Sequence, residues 1–113
     1  MICVDWPPKE LWPNRKAHHL VRARYAKGAR LTAFAIATGA HLGLSAHAHL
    51  RLTFHPPSNR RFDLDNALAA SKAYIDGMAD AARCDDSGWS YTVRKGDPVR
   101  HGRVVVELVE TLP

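Results

Sequence analysis

Two pairs of carboxylates stand out in the second half of the chain. Asp63 and Asp65 flank Leu64 and follow directly on Arg60-Arg61-Phe62, whereas Asp85 and Asp86 are adjacent and follow Arg83-Cys84. Carboxylate oxygens are hard ligands suited to Mg²⁺ or Mn²⁺. Grouped with nothing between them they repel one another, and a bound cation is the usual remedy. A metal held in this way can activate water and stabilise the leaving oxygen of a phosphodiester. No Cys, Ser-His or His-Lys constellation offers a competing covalent route. The plainer role for Asp63 and Asp65 is to cap a helix, worth about 1 kcal/mol. One Asp suffices for a cap, so the second, with Asp86, is left over for a metal. Asp85 is open either as a further ligand or as a support for the turn, and Asn66 can cap or orient Asp63.

The element that must position these groups is a helix. Ala67 to Ala82 contains mostly good helix formers and no proline, and Asp65 or Asn66 can cap it. Leu64, Leu68, Ser71, Ile75, Met78 and Ala82 recur at spacings of four and three, a core stripe with one small polar gap. Asp65, Lys72 and Asp76 share a neighbouring stripe, on which Lys72 and Asp76 can pair at i, i+4. Gly77 is expected to be tolerated at a cost of about 1 kcal/mol. The pattern ends in a polar turn, Arg83 to Gly88.

The other elements follow from periodicity. Ile2 to Val4 can form a short strand that Pro7-Pro8 ends, and Pro8 to Asn14 is a loop anchored by Leu11 and Trp12. Lys16 to Gly39 reads as a long helix with Leu20, Ala23, Lys27, Leu31, Phe34, Ala35 and Thr38 as an imperfect apolar stripe. Gly28 weakens its middle and Gly39 stops it at C′. Ala46 to Phe54 alternates, with Ala48, Leu50, Leu52 and Phe54 on one side and His47, His49, Arg51, Thr53 and His55 on the other. These histidines have no carboxylate or cysteine among them, which favours a polar sheet face or dimer surface over a metal site. Strands are also expected from Trp89 to Arg94 and from Arg103 to Glu110, with a hairpin loop between them. The last strand is apolar on both faces, as expected of a central or interfacial position. The fold class is therefore α+β: a mixed sheet of three to four strands with two packed helices in a single domain covering 1–113.

Composition narrows the partners. The chain has 113 residues and a net charge of +5. From Lys9 to Arg61 ten Lys and Arg residues face one acid, Glu10, whereas from Phe62 to Asp86 six Asp face only Lys72 and Arg83. A basic surface attracts nucleic-acid phosphates. An acidic island within it suits a metal, not a phosphate. Arg22, Arg24, Lys27 and Arg30 give the long helix a basic side that can lie along DNA or simply face solvent. Cys3 and Cys84 form no zinc motif with His. Asp5, Trp6 and two prolines stand where a signal peptide would need an apolar run, and no segment approaches a membrane span. The expected location is cytoplasmic.

The ordered set of basic turn, Asp63-Leu64-Asp65-Asn66, helix with Lys72 and Asp76, Asp85-Asp86 pair and two closing strands resembles the RusA-type Holliday junction resolvases of bacteria and their phages. The Pro-rich turn before Asn14-Arg15 agrees as well, so the resemblance spans nearly the whole chain. It implies a homodimeric, Mg²⁺- or Mn²⁺-dependent endodeoxyribonuclease that cuts four-way DNA junctions in recombination and repair. Carried over, Asp63, Asp65 and Asp86 are the metal ligands and catalytic carboxylates, and Lys72 matches a functional lysine. The family's lysine stands four residues after the second Asp, where this chain has Ala69; Lys72 stands seven after. The resemblance also places Asn14 and Arg15 by the active site as DNA contacts. Arg60, Arg61 and Lys72 are the further DNA-binding candidates. Two alternatives stay open: a non-catalytic DNA-binding protein of the same fold, and a metal-dependent nuclease for other branched DNA or RNA.

Overall fold

The computed structural model describes residues 1–111, and the side chains of 1–109. The elements are β1 (Ile2–Asp5), α1 (His19–Ala40), β2 (Ala48–His55), α2 (Leu64–Ala70), α3 (Lys72–Ala82), β3 (Ser90–Lys95) and β4 (Arg103–Thr111). The strands form one mixed sheet in the order β1-β4-β2-β3. β4 runs antiparallel to both β1 and β2, and β2 runs parallel to β3. Adjacent parallel strands need a long crossover, and α2 with α3 supplies it. The fold is α+β, as the sequence predicts.

One face of the sheet carries the core. Ala48, Leu50, Leu52 and Phe54 of β2 are all buried, together with Ile2, Val4, Val104 and Val106. β4 is paired on both edges, which accounts for its apolar residues on both faces. On the opposite face the polar members of β2 bond sideways across the sheet. The His49 ring nitrogens lie 2.6 Å from Ser90 Oγ and 2.8 Å from Thr92 Oγ1, and Arg51 pairs with Glu107 at 3.2 Å. Both ring nitrogens of His49 are thus engaged by hydroxyls, as a polar sheet face requires.

The apolar stripe expected on α1 is not its core face. Leu20, Leu31 and Phe34 are 65%, 58% and 42% exposed, whereas Ala29, Ala33 and Ala37 are buried. The reason is the distance at which α1 meets α3. A Cβ placed on Gly77 would lie 2.2 Å from the Arg30 carbonyl oxygen and 3.0 Å from Ala33 Cβ. Only small side chains fit that contact, so size and not hydrophobicity selects the face. Gly77 is therefore required by the packing, not merely tolerated. A bidentate pair clamps the same two helices, with Arg30 Nε and Nη2 donating to Asp80 at 2.6 and 2.8 Å.

Element ends also differ from expectation. α1 starts at His19, runs unbroken through Gly28 and past Gly39 to Ala40, and is capped by His41, which takes the left-handed conformation (φ 50°, ψ 52°). The loop expected from Pro8 to Asn14 contains a short 3₁₀ turn, Lys9–Leu11. Leu11 is buried, and Trp12 Nε1 donates to the Pro7 carbonyl at 3.1 Å, so both anchor the loop. β2 starts at Ala48 and includes His55. The single helix expected over Ala67 to Ala82 is two, broken at Ser71 (φ −94°, ψ 2°). The buried Ser71 hydroxyl donates back to the Ala67 carbonyl at 2.9 Å, a bond that bends helices. Cys3 and Cys84 are free thiols. Among the described residues no helix is long and apolar enough to cross a membrane.

Candidate functional site

The prolines that end β1 turn the chain so that three aromatic rings meet. Trp6 lies 5.5 Å from Trp12 and 5.2 Å, edge-on, from Phe62, with Phe54 of the core 6.3 Å behind Trp6. Edge-to-face geometry suits the charge distribution of the rings. Lys95 Nζ lies 4.6 Å from the Phe62 ring centre, on its face. These rings line a cleft of about 790 Å³ between the N-terminal turn and the segment 56–66.

The polar wall of this cleft holds most of the predicted site. Asn14 and Arg15 come from the N-terminal turn, and Arg60, Arg61, Asp63 and Asn66 from the entry to α2. The turn is braced from α1, where Arg22 Nη2 donates to the Arg15 carbonyl at 2.8 Å. Asp63 occupies the N-cap position of α2 in place of the expected Asp65 or Asn66, yet its side chain makes no capping bond. Asp65 lies in the first turn. Among the described residues neither carboxylate has a hydrogen-bonding or ionic partner.

The remaining predicted residues form a second cluster. Lys72 opens α3 and its ammonium donates to Asp86 Oδ2 and, at 2.9 Å, to Asp76 Oδ1. Asp86 opens a short 3₁₀ turn, Asp86–Gly88. Asp85 caps that turn, accepting from the Ser87 amide at 2.9 Å, so its role is to support the turn. The side chains of Asp86, Asp76 and Lys72 are 17%, 30% and 58% exposed. Desolvation pulls the Lys72 ammonium toward losing its proton, but the bonds to Asp86 and Asp76 outweigh this and hold its pKa up at about 12. Burial, with Asp86 adding, raises the nearby Tyr91 hydroxyl.

The structure places Asp63 and Asp65 at the start of α2 and Asp86 beside Lys72 in the turn after α3. Lys72 stands seven residues beyond Asp65, across the break at Ser71, and Asp86 is tied to Lys72. Among the described residues no three His, Cys, Asp or Glu side chains stand close enough to hold a metal ion. The donor chemistry, hard carboxylates of which two are unpartnered, suits Mg²⁺, but the third ligand is bound to an ammonium. The helix breaks at Ser71, inside the interval that departs from the family's lysine spacing.

The sequence reading missed the aromatic lining, because Trp6 and Phe62 are far apart along the chain. The runs Asp5-Trp6-Pro7 and Arg61-Phe62-Asp63, each an aromatic set among charges or prolines, carry the only local signal. It also left open two basic residues of α1 that prove structural: Arg30 clamps α3 and Arg22 braces the turn.

No family model matches the chain. It is 35% identical over 113 residues to an uncharacterized protein of Xylella fastidiosa, an alignment that covers 95% of this chain and 74% of that protein. At that identity and coverage, the chain belongs to the same family as the Xylella fastidiosa protein.

Proposed function

We propose that the protein is a divalent-metal-dependent endodeoxyribonuclease that resolves four-way DNA junctions, working as a homodimer in recombination and repair. The observation that carries the reading is the cleft. It gathers Asn14, Arg15, Arg60 and Arg61 beside Asp63 over an aromatic lining. Arginines hold phosphates and fix the register of a strand, and aromatic side chains lining a groove can stack with bases that a branch point leaves unstacked. The unpartnered Asp63 lines the same cleft, with Asp65 following in the first turn of α2, which supports this reading. Asp63, Asp65 and Asp86 are the residues that would hold Mg²⁺ or Mn²⁺. When bound, the ion supplies Lewis acidity and an activated water at the phosphodiester. Lys72, at the start of α3, would add a positive group beside Asp86. A junction has two-fold symmetry, and a C₂ dimer offers two sites related by the same operator.

A second reading, a DNA-binding protein without turnover, is favoured by the Lys72–Asp86 pair, which leaves no three carboxylates together. Incubation with a synthetic four-way junction and a linear duplex, with and without Mg²⁺, separates the two. The expected result is metal-dependent, symmetric cutting of the junction and affinity that falls steeply with salt. Tight junction binding with no cutting in any divalent metal establishes the second reading. Preferential cutting of flaps or RNA moves the substrate class, and equal affinity for duplex and junction refutes the resolvase reading.

A further inference from the structure

A second hollow lies beside the cleft. It holds about 500 Å³ between the end of β1, α1 and Tyr74 of α3, within the range of about 300–1,000 Å³ typical of small-ligand sites. Trp6 lines both; Pro7 lines the cleft and Pro8 the hollow, so the two adjoin across this turn. We propose that the hollow takes one unpaired nucleotide of a strand held in the cleft, with an amino-bearing base directed to Asp5 and its phosphate to Arg24. The inference rests on the nucleic-acid reading above.

The polar groups of the hollow lack partners of their own. Tyr74 is only 5% exposed. Among the described residues its hydroxyl has no hydrogen-bonding partner, yet no fully buried side-chain polar atom is orphaned, so it opens into the hollow. Burial, with the Asp5 carboxylate adding, holds its proton in place, so the hydroxyl can donate as well as accept. Asp5 and Arg24 also line the hollow, and neither has an ionic partner among the described residues. Opposite charges that share a hollow without pairing leave the space between them to a ligand with a donor edge and an anion. A nucleotide has both: a carboxylate accepts from the amino group of a base, and a guanidinium forks onto a phosphate. Trp6 and Tyr25 supply aromatic surface for the base. Gly28 keeps the hollow open, since a Cβ there meets nothing within 4 Å. Because Trp6 is shared with the cleft, the nucleotide best placed to enter belongs to a strand that Arg15, Arg60 and Arg61 already hold.

The test is affinity for DNA duplexes with a one-nucleotide bulge, read by fluorescence anisotropy in EDTA so that no strand is cut. The bulge carries adenine, purine (which lacks only the amino group) or no base. The wild type should prefer the adenine over the abasic bulge roughly tenfold, within the range for one stacked base, with purine between them. Gly28→Leu fills the hollow from an exposed helix position and should remove the preference; Gly28→Ala leaves room and should keep it. Asp5→Ala should bind adenine and purine alike while still preferring both to no base. Melting curves check each variant. The wild-type preference, lost in Gly28→Leu and kept in Gly28→Ala, supports the site. Equal wild-type affinity for the three bulges, or a preference that a folded Gly28→Leu retains, overturns it and leaves DNA binding standing. A gap between adenine and purine that survives Asp5→Ala overturns the part given to Asp5. Free deoxyadenosine monophosphate is titrated alone: binding that Gly28→Leu abolishes, without any bulge preference, assigns the hollow to a free nucleotide and overturns its use by a strand. Absence of binding to any of the DNAs removes the nucleic-acid reading and this inference with it.

Discussion

Replacing Gly77 with alanine tests the contact that orients α1 over α3. The added methyl group meets the Arg30 carbonyl oxygen at 2.2 Å, whereas ordinary contact begins at 3.4 Å, so the helices must part by about 1 Å. The obstacle is backbone and has no rotamer by which to turn aside. Overpacking of a tight interior costs about 1–3 kcal/mol, and a backbone clash belongs at the upper end. Alanine regains about 1 kcal/mol of helix propensity over glycine. The net loss is about 2 kcal/mol, which for a domain of this size lowers the melting temperature by roughly 8 °C. Gly28 in α1 is the control, because a Cβ there meets nothing within 4 Å. Gly28→Ala should therefore gain the propensity term alone, about 1 kcal/mol, and raise the melting temperature by roughly 4 °C. Thermal unfolding followed by circular dichroism, with urea unfolding at unchanged m-value, reads both. A Gly77→Ala protein as stable as the wild type, or stabilised like Gly28→Ala, would refute the close approach of the two helices.

Three further outcomes follow from the same geometry. Asp63→Asn, Asp65→Asn and Asp86→Asn should each abolish junction cleavage while junction affinity, read by gel shift, is kept or improved; wild-type turnover by one of them removes that residue from the catalytic set. Burial, with the Asp5 carboxylate adding, pushes the Tyr74 hydroxyl from 10.0 up to about 12. The unfolded chain therefore loses that proton at a lower pH than the folded one, so stability is intact below pH 10.0 and falls as pH rises towards 12. Melting curves across that window should drop more steeply for the wild type than for Tyr74→Phe, and parallel curves count against the burial of this hydroxyl. Light scattering at micromolar concentration should give a dimer; a monomer that still cuts junctions symmetrically defeats the two-site arrangement.

The strands were legible because a period of two assigns a face whatever the strand packs against. Ala48, Leu50, Leu52 and Phe54 could only share a side, and that wholly apolar side had to be the core. A helix gives no such guarantee. On α1 the large apolar residues and the buried residues are different sets, because α3 presents Gly77 and the contact admits only Ala29, Ala33 and Ala37. The readable clue was the recurrence of alanine at spacings of four, with a glycine on the partner helix. A hydrophobicity stripe passes over that pattern. The break at Ser71 was hidden for a different reason. Serine in an alanine-rich run is unremarkable until its hydroxyl is buried and has only the Ala67 carbonyl to turn to.

The site divides along the same line between local and tertiary information. Arg60, Arg61 and Asp63 are neighbours in sequence and remain neighbours in the cleft, whereas the place of Asp86 depends on how the turn after α3 packs back against Lys72. Charge alone marked the segment from Phe62 to Asp86 as an acidic island, but the fold uses most of it. Asp80 clamps α1, Asp85 caps its turn, and Asp76 and Asp86 share Lys72. Among the basic residues, Arg22, Arg30, Arg51 and Arg94 are likewise engaged in holding the turn, the helices and the sheet face. Asp63, Arg15, Arg60 and Arg61, which line the cleft, are among the ionic side chains that the fold leaves without partners among the described residues, as are Asp65 in the first turn of α2 and, elsewhere, residues such as Arg24, Lys27, Arg83 and Arg100. Ionic groups left unpaired and gathered at one aromatic-lined cleft are available to a ligand, and their mixture of guanidinium and carboxylate is what supports the proposal of a phosphate backbone met together with a metal ion.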